Sequence, residues 1–330
     1  LLTSDALDAA PSHAGIVDAA RMTMRRFDRP ELRISALRRF QRRELLRIAA
    51  ADLLGRKRFP AIVAELSALA DAIVACALDE SLAAVERRRG HSIDASIAVI
   101  ALGKLGGMEL NYSSDIDLMI VYRSLSPEGI GNDDLPGMTG THDDVIAVVK
   151  EMLRILTGSS SEGMLYRTDL RLRPDGAAGA LALSFSASVT YYERRCAMWE
   201  RQMLLRARYC AGEADLSDEL LRRLEPFVHP RTLLRLPSAL LADIQARLAG
   251  RWPDEHDIKH MRGGIRHIEF SLQALQMLHA HRPALRTPST ARAIELLARE
   301  GLLQPEEEAL LGSAYMFLRR IEHVLQLENF

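Results

Sequence analysis

ALGKLGGMELNYSSDIDLMIVY (residues 101–122) is the stretch on which the reading of the chain turns. An apolar lead runs into a glycine-rich turn, Gly103-Lys104-Leu105-Gly106-Gly107. A short polar stretch follows, and then Asp115 and Asp117 open a second apolar run. Glycines let a backbone come close to an anion and aim its N–H groups at phosphate oxygens. Two acids at i, i+2 at the start of a strand point to one face and can grip hard cations through oxygen. Taken singly, both signals are weak. Most glycine turns are only tight turns, and a lone Asp-x-Asp commonly sits in a solvated loop. Neither GxxxxGK[ST] nor GxGxxG occurs here, so the turn is neither a Walker A loop nor a dinucleotide fingerprint.

A third acid strengthens the case. LYRTDLRLRP (165–174) alternates as a half-buried strand does, with Tyr166, Thr168, Leu170 and Leu172 on one face and Arg167, Asp169, Arg171 and Arg173 on the other. Pro174 and Asp175-Gly176 end it in a turn. If this strand lies beside the one opened by Asp115 and Asp117, three carboxylates converge, which is the arrangement two-metal phosphoryl transfer requires. The arginines on the same face suit phosphate oxygens.

The composition is that of an ordinary globular chain: 330 residues, 48% apolar and 26% charged. The net charge of −1 gives no bulk electrostatic case for nucleic acid or an anionic membrane as a partner. Cys76, Cys196 and Cys210 are few, odd in number and without CxxC spacing, which argues against a disulfide framework or a zinc site and fits a reducing cytoplasm. No apolar run reads as a membrane span and no signal peptide is visible. The chain starts at Leu1 without a Met and stops just after FLRRIEHVLQLE, which reads as an unfinished amphipathic helix, so a longer polypeptide is expected.

The expected architecture is α+β: a mixed sheet between two helical regions. Residues 1–92 read as a helical segment, with a loose lead-in to residue 30, Leu37, Phe40, Leu45 and Ile48 on one helix face, and a second, more buried helix over 61–86 that Gly90 ends. Residues 93–190 form the sheet domain. It holds strands at 96–102, 117–122 and 165–174 and a fourth candidate at 180–185, with a polar loop over 124–141 and a helix over 143–156 begun by Asp143 and Asp144. Residues 191–330 read as a helical bundle, interrupted at Pro226–Pro237, Pro253 and Arg262–Gly264.

With these pieces in place, the 101–122 stretch resembles the polymerase-β-like nucleotidyltransferase superfamily, whose Gly-Ser turn precedes an Asp-x-Asp at a strand start. Gly103-Lys104 takes the Gly-Ser place, with Lys104 a departure from the usual Ser, and Asp115-Ile116-Asp117 takes the acid pair. Within that superfamily the chain is similar to the glutamine synthetase adenylyltransferase/adenylyl-removing enzymes. The motifs are GKLGGMELNYSSDIDLMIVY, YRTDLRLRPDGAAGALALS (166–184), YYERRCAMWERQMLLRARYCAGE (191–213), DIKHMRGGIRHIEF (257–270) and RRFQRRELLRIAAADL (38–53).

The resemblance implies a catalytic set of Asp115, Asp117 and Asp169 holding Mg²⁺, two ions in all. Gly103, Lys104, Gly106, Gly107, Ser114, Arg171 and Arg173 would bind phosphate or nucleotide. Lys259, Arg266 and Glu269 are expected to touch nucleotide or target, against the plainer reading that Arg266 and Glu269 form an i, i+3 pair at a helix start. The family is bifunctional and this chain holds one motif set. ELNYSSDIDL, YRTDLRLRP and AYMFLRRIEHVLQ look more like the half that removes AMP from a tyrosine of glutamine synthetase by phosphorolysis, giving ADP. The alternatives are the half that transfers AMP from ATP to that tyrosine, or a module that only senses nucleotides. ATP, ADP, phosphate, glutamine synthetase and the PII signalling protein are the partners the resemblance implies, with no nucleic acid and no membrane.

Overall fold

The computed structural model describes residues 7–9, 11–125, 139–230, 246 and 257–328. Most of the expected 124–141 loop lies outside these residues, as do the interruptions at Pro237 and Pro253. The described chain is mixed α and β, as the sequence predicts. It separates into two compact units: residues 1–196 with 207–223, and residues 197–206 with 224–330. The expected boundary at residue 93 is not a boundary between these units.

Helices α1 (His13–Met24), α2 (Pro30–Leu53) and α3 (Phe59–Arg89) precede the sheet in the first unit. The Ser12 hydroxyl caps α1 by accepting from the Gly15 N–H at 3.1 Å. α2 and α3 each carry Pro in their first turn, where its missing N–H costs nothing, and Gly90 ends α3 in the left-handed conformation. α3 corrects one expectation. It is long and apolar enough to cross a membrane by length and composition alone, but 83% of its most apolar window is buried inside the protein. It is the central helix of the unit, packed by α1, α2 and further elements described below.

β1 (Ala95–Ala101) leads through a one-turn helix, α4 (Gly103–Gly106), to β2 (Ile116–Ser124), which pairs with β1 in antiparallel fashion. α5 (Thr139–Thr157) then crosses over to β3 (Thr168–Asp169), and β4 (Ala182–Ser184) follows. Both β3 and β4 run parallel to β2, β3 at its first residues and β4 further along. α6 (Phe185–Arg194) follows β4, started by the Ser184 hydroxyl accepting from the Ala187 N–H. The sheet closes with β5 (Arg208–Gly212), antiparallel to β1, so the order is β3-β2-β1-β5 with β4 also against β2. β1 and β2 are buried along almost their whole length, in keeping with their unbroken apolar runs. α3 packs against both α5 and β5.

Two strands differ from expectation. Residues 208–212 were expected to be helical, but Arg208-Tyr209-Cys210-Ala211-Gly212 forms the edge strand. The expected ten-residue strand at 165–174 is only Thr168–Asp169. Side chains take over its backbone groups: Asp169 accepts the Arg171 N–H at 2.7 Å, and the guanidinium of Arg173 takes the Leu170 carbonyl at 2.7 Å. Such local bonds compete with the ladder and stop the strand.

The second unit holds α7 (Met198–Leu204), the end of α8 (Ala214–Val228), α9 (Ile265–Leu278), α10 (Thr290–Arg299) and α11 (Pro305–Glu328). Ile265, Ile268 and Leu272 of α9, Ile294 and Leu297 of α10, and Tyr315 and Leu318 of α11 make its core. Their spacing follows the helical repeat the sequence predicts for this region.

Candidate active site

The site is built at the junction of β1, α4 and the start of β2. The β1–β2 register pairs Ala101 with Leu118, and the Leu102 N–H donates to the Asp117 carbonyl at 2.9 Å. The chain therefore leaves the sheet at Gly103 directly beside Asp117. Gly103 adopts φ +54, and a Cβ added there would stand 2.2 Å from Oδ2 of Asp117. Both the turn and the close approach require glycine.

β3 brings the third acid. Its register against β2 pairs Asp117 with Asp169, and the Ile116 N–H donates to the Arg167 carbonyl at 2.9 Å. Register partners on neighbouring strands lie about 4.8 Å apart and face the same way. One step back along each strand, Arg167 donates through Nε to Asp115 at 2.5 Å and through Nη2 to the Ser113 carbonyl at 2.6 Å. Arg171 grips Asp169 with a fork, Nε and Nη2 donating to Oδ2 at 2.9 and 2.5 Å. That guanidinium holds the Asp169 carboxyl below the usual carboxylate range. Asp117 and Asp169 thus face the same way, while Asp115 and Asp169 are each held by an arginine. Among the described residues no three His, Cys, Asp or Glu side chains are gathered closely enough to hold a metal ion as placed.

The glycine turn contributes less than its sequence promised. The Gly106 and Gly107 N–H groups donate to the Leu102 and Gly103 carbonyls at 2.8 and 3.2 Å, and both residues are buried. These two amides close the helical turn and are not aimed at a ligand. Gly103 and Lys104, at the start of the turn, are only half-buried. Ser114 lies in the turn before the acid pair, its N–H 3.4 Å from the Asn111 carbonyl.

Arg173 is corrected more sharply. Its guanidinium is buried and donates to the carbonyls of Leu170, Ala180 and Gly179 at 2.7, 2.8 and 2.8 Å. In this structure its donors are taken up by the 170–180 loop, which it organises from inside. Arg171, by contrast, has an exposed side chain on the acid face.

Several residues behind the site went unrecognised in the sequence. Gln41 of α2 donates to the Leu165 carbonyl at 2.7 Å, just ahead of β3. Ser67 of α3 accepts the Leu110 N–H at 3.0 Å. Arg208 of β5 donates to the Leu105 carbonyl at 2.8 Å and pairs with the fully buried Asp71 of α3. The available signal was polar residues inside apolar helices: Ser67 and Asp71 fall at i, i+4 among Ala, Leu and Ile.

Lys259, Arg266 and Glu269 belong to the second unit. Asp257 accepts the Lys259 and His260 N–H groups at 2.9 and 3.3 Å, and its other oxygen meets His260 Nδ1 at 2.6 Å, so IKHMRGG is a tight turn leading into α9. A Cβ on Gly264 would stand 2.6 Å from the Ile258 carbonyl, so that glycine lets the turn close. Glu269 lies on α9, three positions after Arg266. It is buried and ion-paired with buried Arg206 at 3.0 Å, whose Nη2 also donates to Thr290 Oγ1 at 3.1 Å. The guanidinium of Arg266 lies 5.9 Å from the Phe270 ring centre.

The glutamate-ammonia ligase adenylyltransferase family model matches residues 2–223, which carry the whole β1–α4–β2–β3 site. The chain belongs to that family. A bifunctional glutamine synthetase adenylyltransferase/adenylyl-removing enzyme of Stenotrophomonas maltophilia (strain R551-3) is 37% identical over 301 residues, covering 88% of this chain and 32% of that protein. Its counterpart of Xanthomonas axonopodis pv. citri (strain 306) is 35% identical over 327 residues, 96% of this chain and 34% of that protein. The chain therefore spans about a third of the length of the curated relatives it matches. A GlnD PII-uridylyltransferase family model matches residues 235–329, outside the adenylyltransferase match.

Proposed function

We propose that this chain carries a nucleotidyl-transfer site that removes AMP from an adenylylated tyrosine of glutamine synthetase, with orthophosphate as acceptor and ADP as product. The single observation that carries the reading is the facing of Asp117 and Asp169 across β2 and β3, with Gly103 folded onto the Asp117 carboxylate. Family membership and the names of the relatives support the reaction class.

The roles follow from position. Asp115, Asp117 and Asp169 would hold Mg²⁺, two ions in all; the donor set is all carboxylate oxygen, and the absent side chain at Gly103 leaves room over Asp117. Bound there, the ions supply charge neutralisation at the phosphoryl oxygens. The backbone at Gly103 and Lys104 approaches the phosphate, and Ser114 lies at its edge. Arg171 and Arg167 can turn from the acids to the incoming orthophosphate, because exposed ion pairs are weak and easily exchanged. The chain's work is positioning and electrostatic stabilisation, which in-line displacement at phosphorus chiefly needs.

The removing direction is favoured by the motif forms ELNYSSDIDL and YRTDLRLRP. The match to a PII-uridylyltransferase model over 235–329 supports regulation by the PII signalling protein, and the few cysteines, without CxxC spacing, fit work in the cytoplasm. The test supplies adenylylated glutamine synthetase, phosphate and Mg²⁺ and follows ADP. Turnover that Asp115→Asn and Asp117→Asn each abolish is expected. Turnover unchanged in both variants sinks the site assignment. Turnover only with ATP and unmodified glutamine synthetase reverses the direction, and nucleotide binding without either reaction leaves a sensing module.

A further inference from the structure

The buried Asp71 sits in the middle of α3, and its side chain is wholly shielded from solvent. A carboxylate in such a place is costly unless it is paired and fully hydrogen-bonded. It is. Arg208 delivers a fork, Nη1 to Oδ2 at 2.8 Å and Nη2 to Oδ1 at 3.0 Å. His13 Nε2 stands 2.9 Å from Oδ2, and the Cys210 thiol donates to Oδ1 at 3.2 Å. Replacing a buried ion pair by apolar side chains is often neutral or stabilising, so stability alone is a weak reason for this one.

What the pair does is visible in the remaining donors of Arg208. Nη2 also reaches the Leu105 carbonyl at 2.8 Å, with Nε on the same oxygen at 3.3 Å, and Nη1 reaches the Tyr209 carbonyl at 2.8 Å. Leu105 is the third residue of the α4 turn. Four positions before Asp71, one helical turn away on the same face of α3, Ser67 accepts the Leu110 N–H at 3.0 Å and donates to the Val63 carbonyl at 2.7 Å. Both ends of the segment running from the turn towards the acid pair are therefore tied to one face of one rigid helix. The tolerance at the front of that segment is small. Gly103 already fits against Asp117 so closely that a single methyl would collide with it.

The geometry points to Arg208 and Asp71 as positioning residues: Arg208 holds the Leu105 carbonyl and thereby the Gly103–Lys104 backbone against Asp117, and Asp71 orients the guanidinium. The inference rests on the nucleotidyl-transfer reading of the site. Asp71 is wholly shielded from solvent and the Arg208 guanidinium is taken up by Asp71 and two carbonyls, so their loss is expected to act on the chemical step and spare the docking of the protein target.

The test uses the full-length protein with adenylylated glutamine synthetase and phosphate. Arg208→Met and Asp71→Asn are each expected to lower kcat at least about tenfold, with KM for the protein substrate within about twofold. Arg208→Lys keeps the charge but not the fork and is expected to fall between Arg208→Met and the parent. The double variant is expected to be no worse than the poorer single, because the two act as one unit. If Arg208→Met does not fold, Arg208→Lys decides, with parental kcat overturning the inference. So does a loss confined to KM, or a lower melting temperature at unchanged kcat. Asp117→Asn separates the two levels. If it keeps turnover, the underlying reading falls. If it abolishes turnover while folded Arg208 and Asp71 variants run at the parental rate, only the positioning role falls.

Discussion

Gly103 and Asp117 are locked face to face: the glycine stands where a Cβ would be 2.2 Å from the aspartate Oδ2, at a backbone φ of +54. Two separate demands therefore fall on one residue. Gly103→Ala is expected to cost about 1–2 kcal/mol from the left-handed backbone alone. It must also displace the carboxylate or the turn by about an ångström, since the added Cβ would stand 2.2 Å from Oδ2. A misplacement of that order at a phosphoryl-transfer site lowers kcat on the order of a hundredfold. Steady-state ADP formation reads the rate, and a urea titration reads the stability.

Arg171 and Arg173 are two residues apart and lead opposite lives. Arg171→Ala removes an exposed ion pair, so stability changes by about 1 kcal/mol or less. Its effect is expected in the KM for phosphate, raised severalfold. Arg173→Ala strips three close donors from carbonyls of the 170–180 loop, of which the bond to Leu170 is buried and those to Gly179 and Ala180 are part-buried. Leaving the buried Leu170 carbonyl unsatisfied costs about 1–3 kcal/mol, and losing the other two loosens the loop further. Limited proteolysis within 174–180 should be accelerated in the Arg173 variant and unchanged in the Arg171 variant.

Glu269 is expected to behave as an internal strut. Glu269→Ala leaves the buried Arg206 without its counter-charge, a change that destabilises by about 3–5 kcal/mol. Denaturant midpoints for the second unit check this. Preserved stability with weakened binding of glutamine synthetase would restore the surface role that the motif alone suggested.

His229 gives the second unit a dependence on pH. Burial, reinforced by the nearby Arg286 charge, pulls its ring down to about 4. Between that value and the ordinary 6.5 the unfolded chain binds a proton that the folded chain refuses. Stability from this residue is thus full above pH 6.5 and is lost as pH falls towards 4. The amount is on the order of 2 kcal/mol, reduced from the full linkage value because the ring is partly open to solvent. His229→Phe should flatten the slope of stability against pH in that window.

The elements that could be read from sequence were those whose pattern and burial agree. β1 and β2 are unbroken apolar runs bounded by a glycine turn and an acid pair, and both stand where their residues predict. Gly90 closes α3 with the left-handed geometry its position suggests. β3 was overestimated because alternation over 165–174 is real, whereas the competing bonds from Asp169 and Arg173 to the backbone leave no mark on periodicity. β5 was missed for the opposite reason. RYCAG is short and flanked by helical stretches, and only its partner β1 makes it a strand. The three acids were singled out because their spacing carries chemistry. The residues packed behind them were not, since a polar side chain inside an apolar helix announces burial and gives no hint of what it meets.

That late strand has a consequence for how the molecule is made. Ala98 of β1 pairs with Gly212 of β5, more than a hundred positions later in the chain. Between them the ribosome delivers α7, which belongs to the other compact unit. β1 therefore emerges with one edge bare and stays so until residue 212 is free of the exit tunnel. During that interval the exposed edge can recruit a neighbouring nascent chain, because long-range pairing is slow and unpaired edges invite aggregation. A ribosome-stalled chain ending near residue 200 should be chaperone-bound and protease-sensitive, whereas one carrying β5 clear of the tunnel should not.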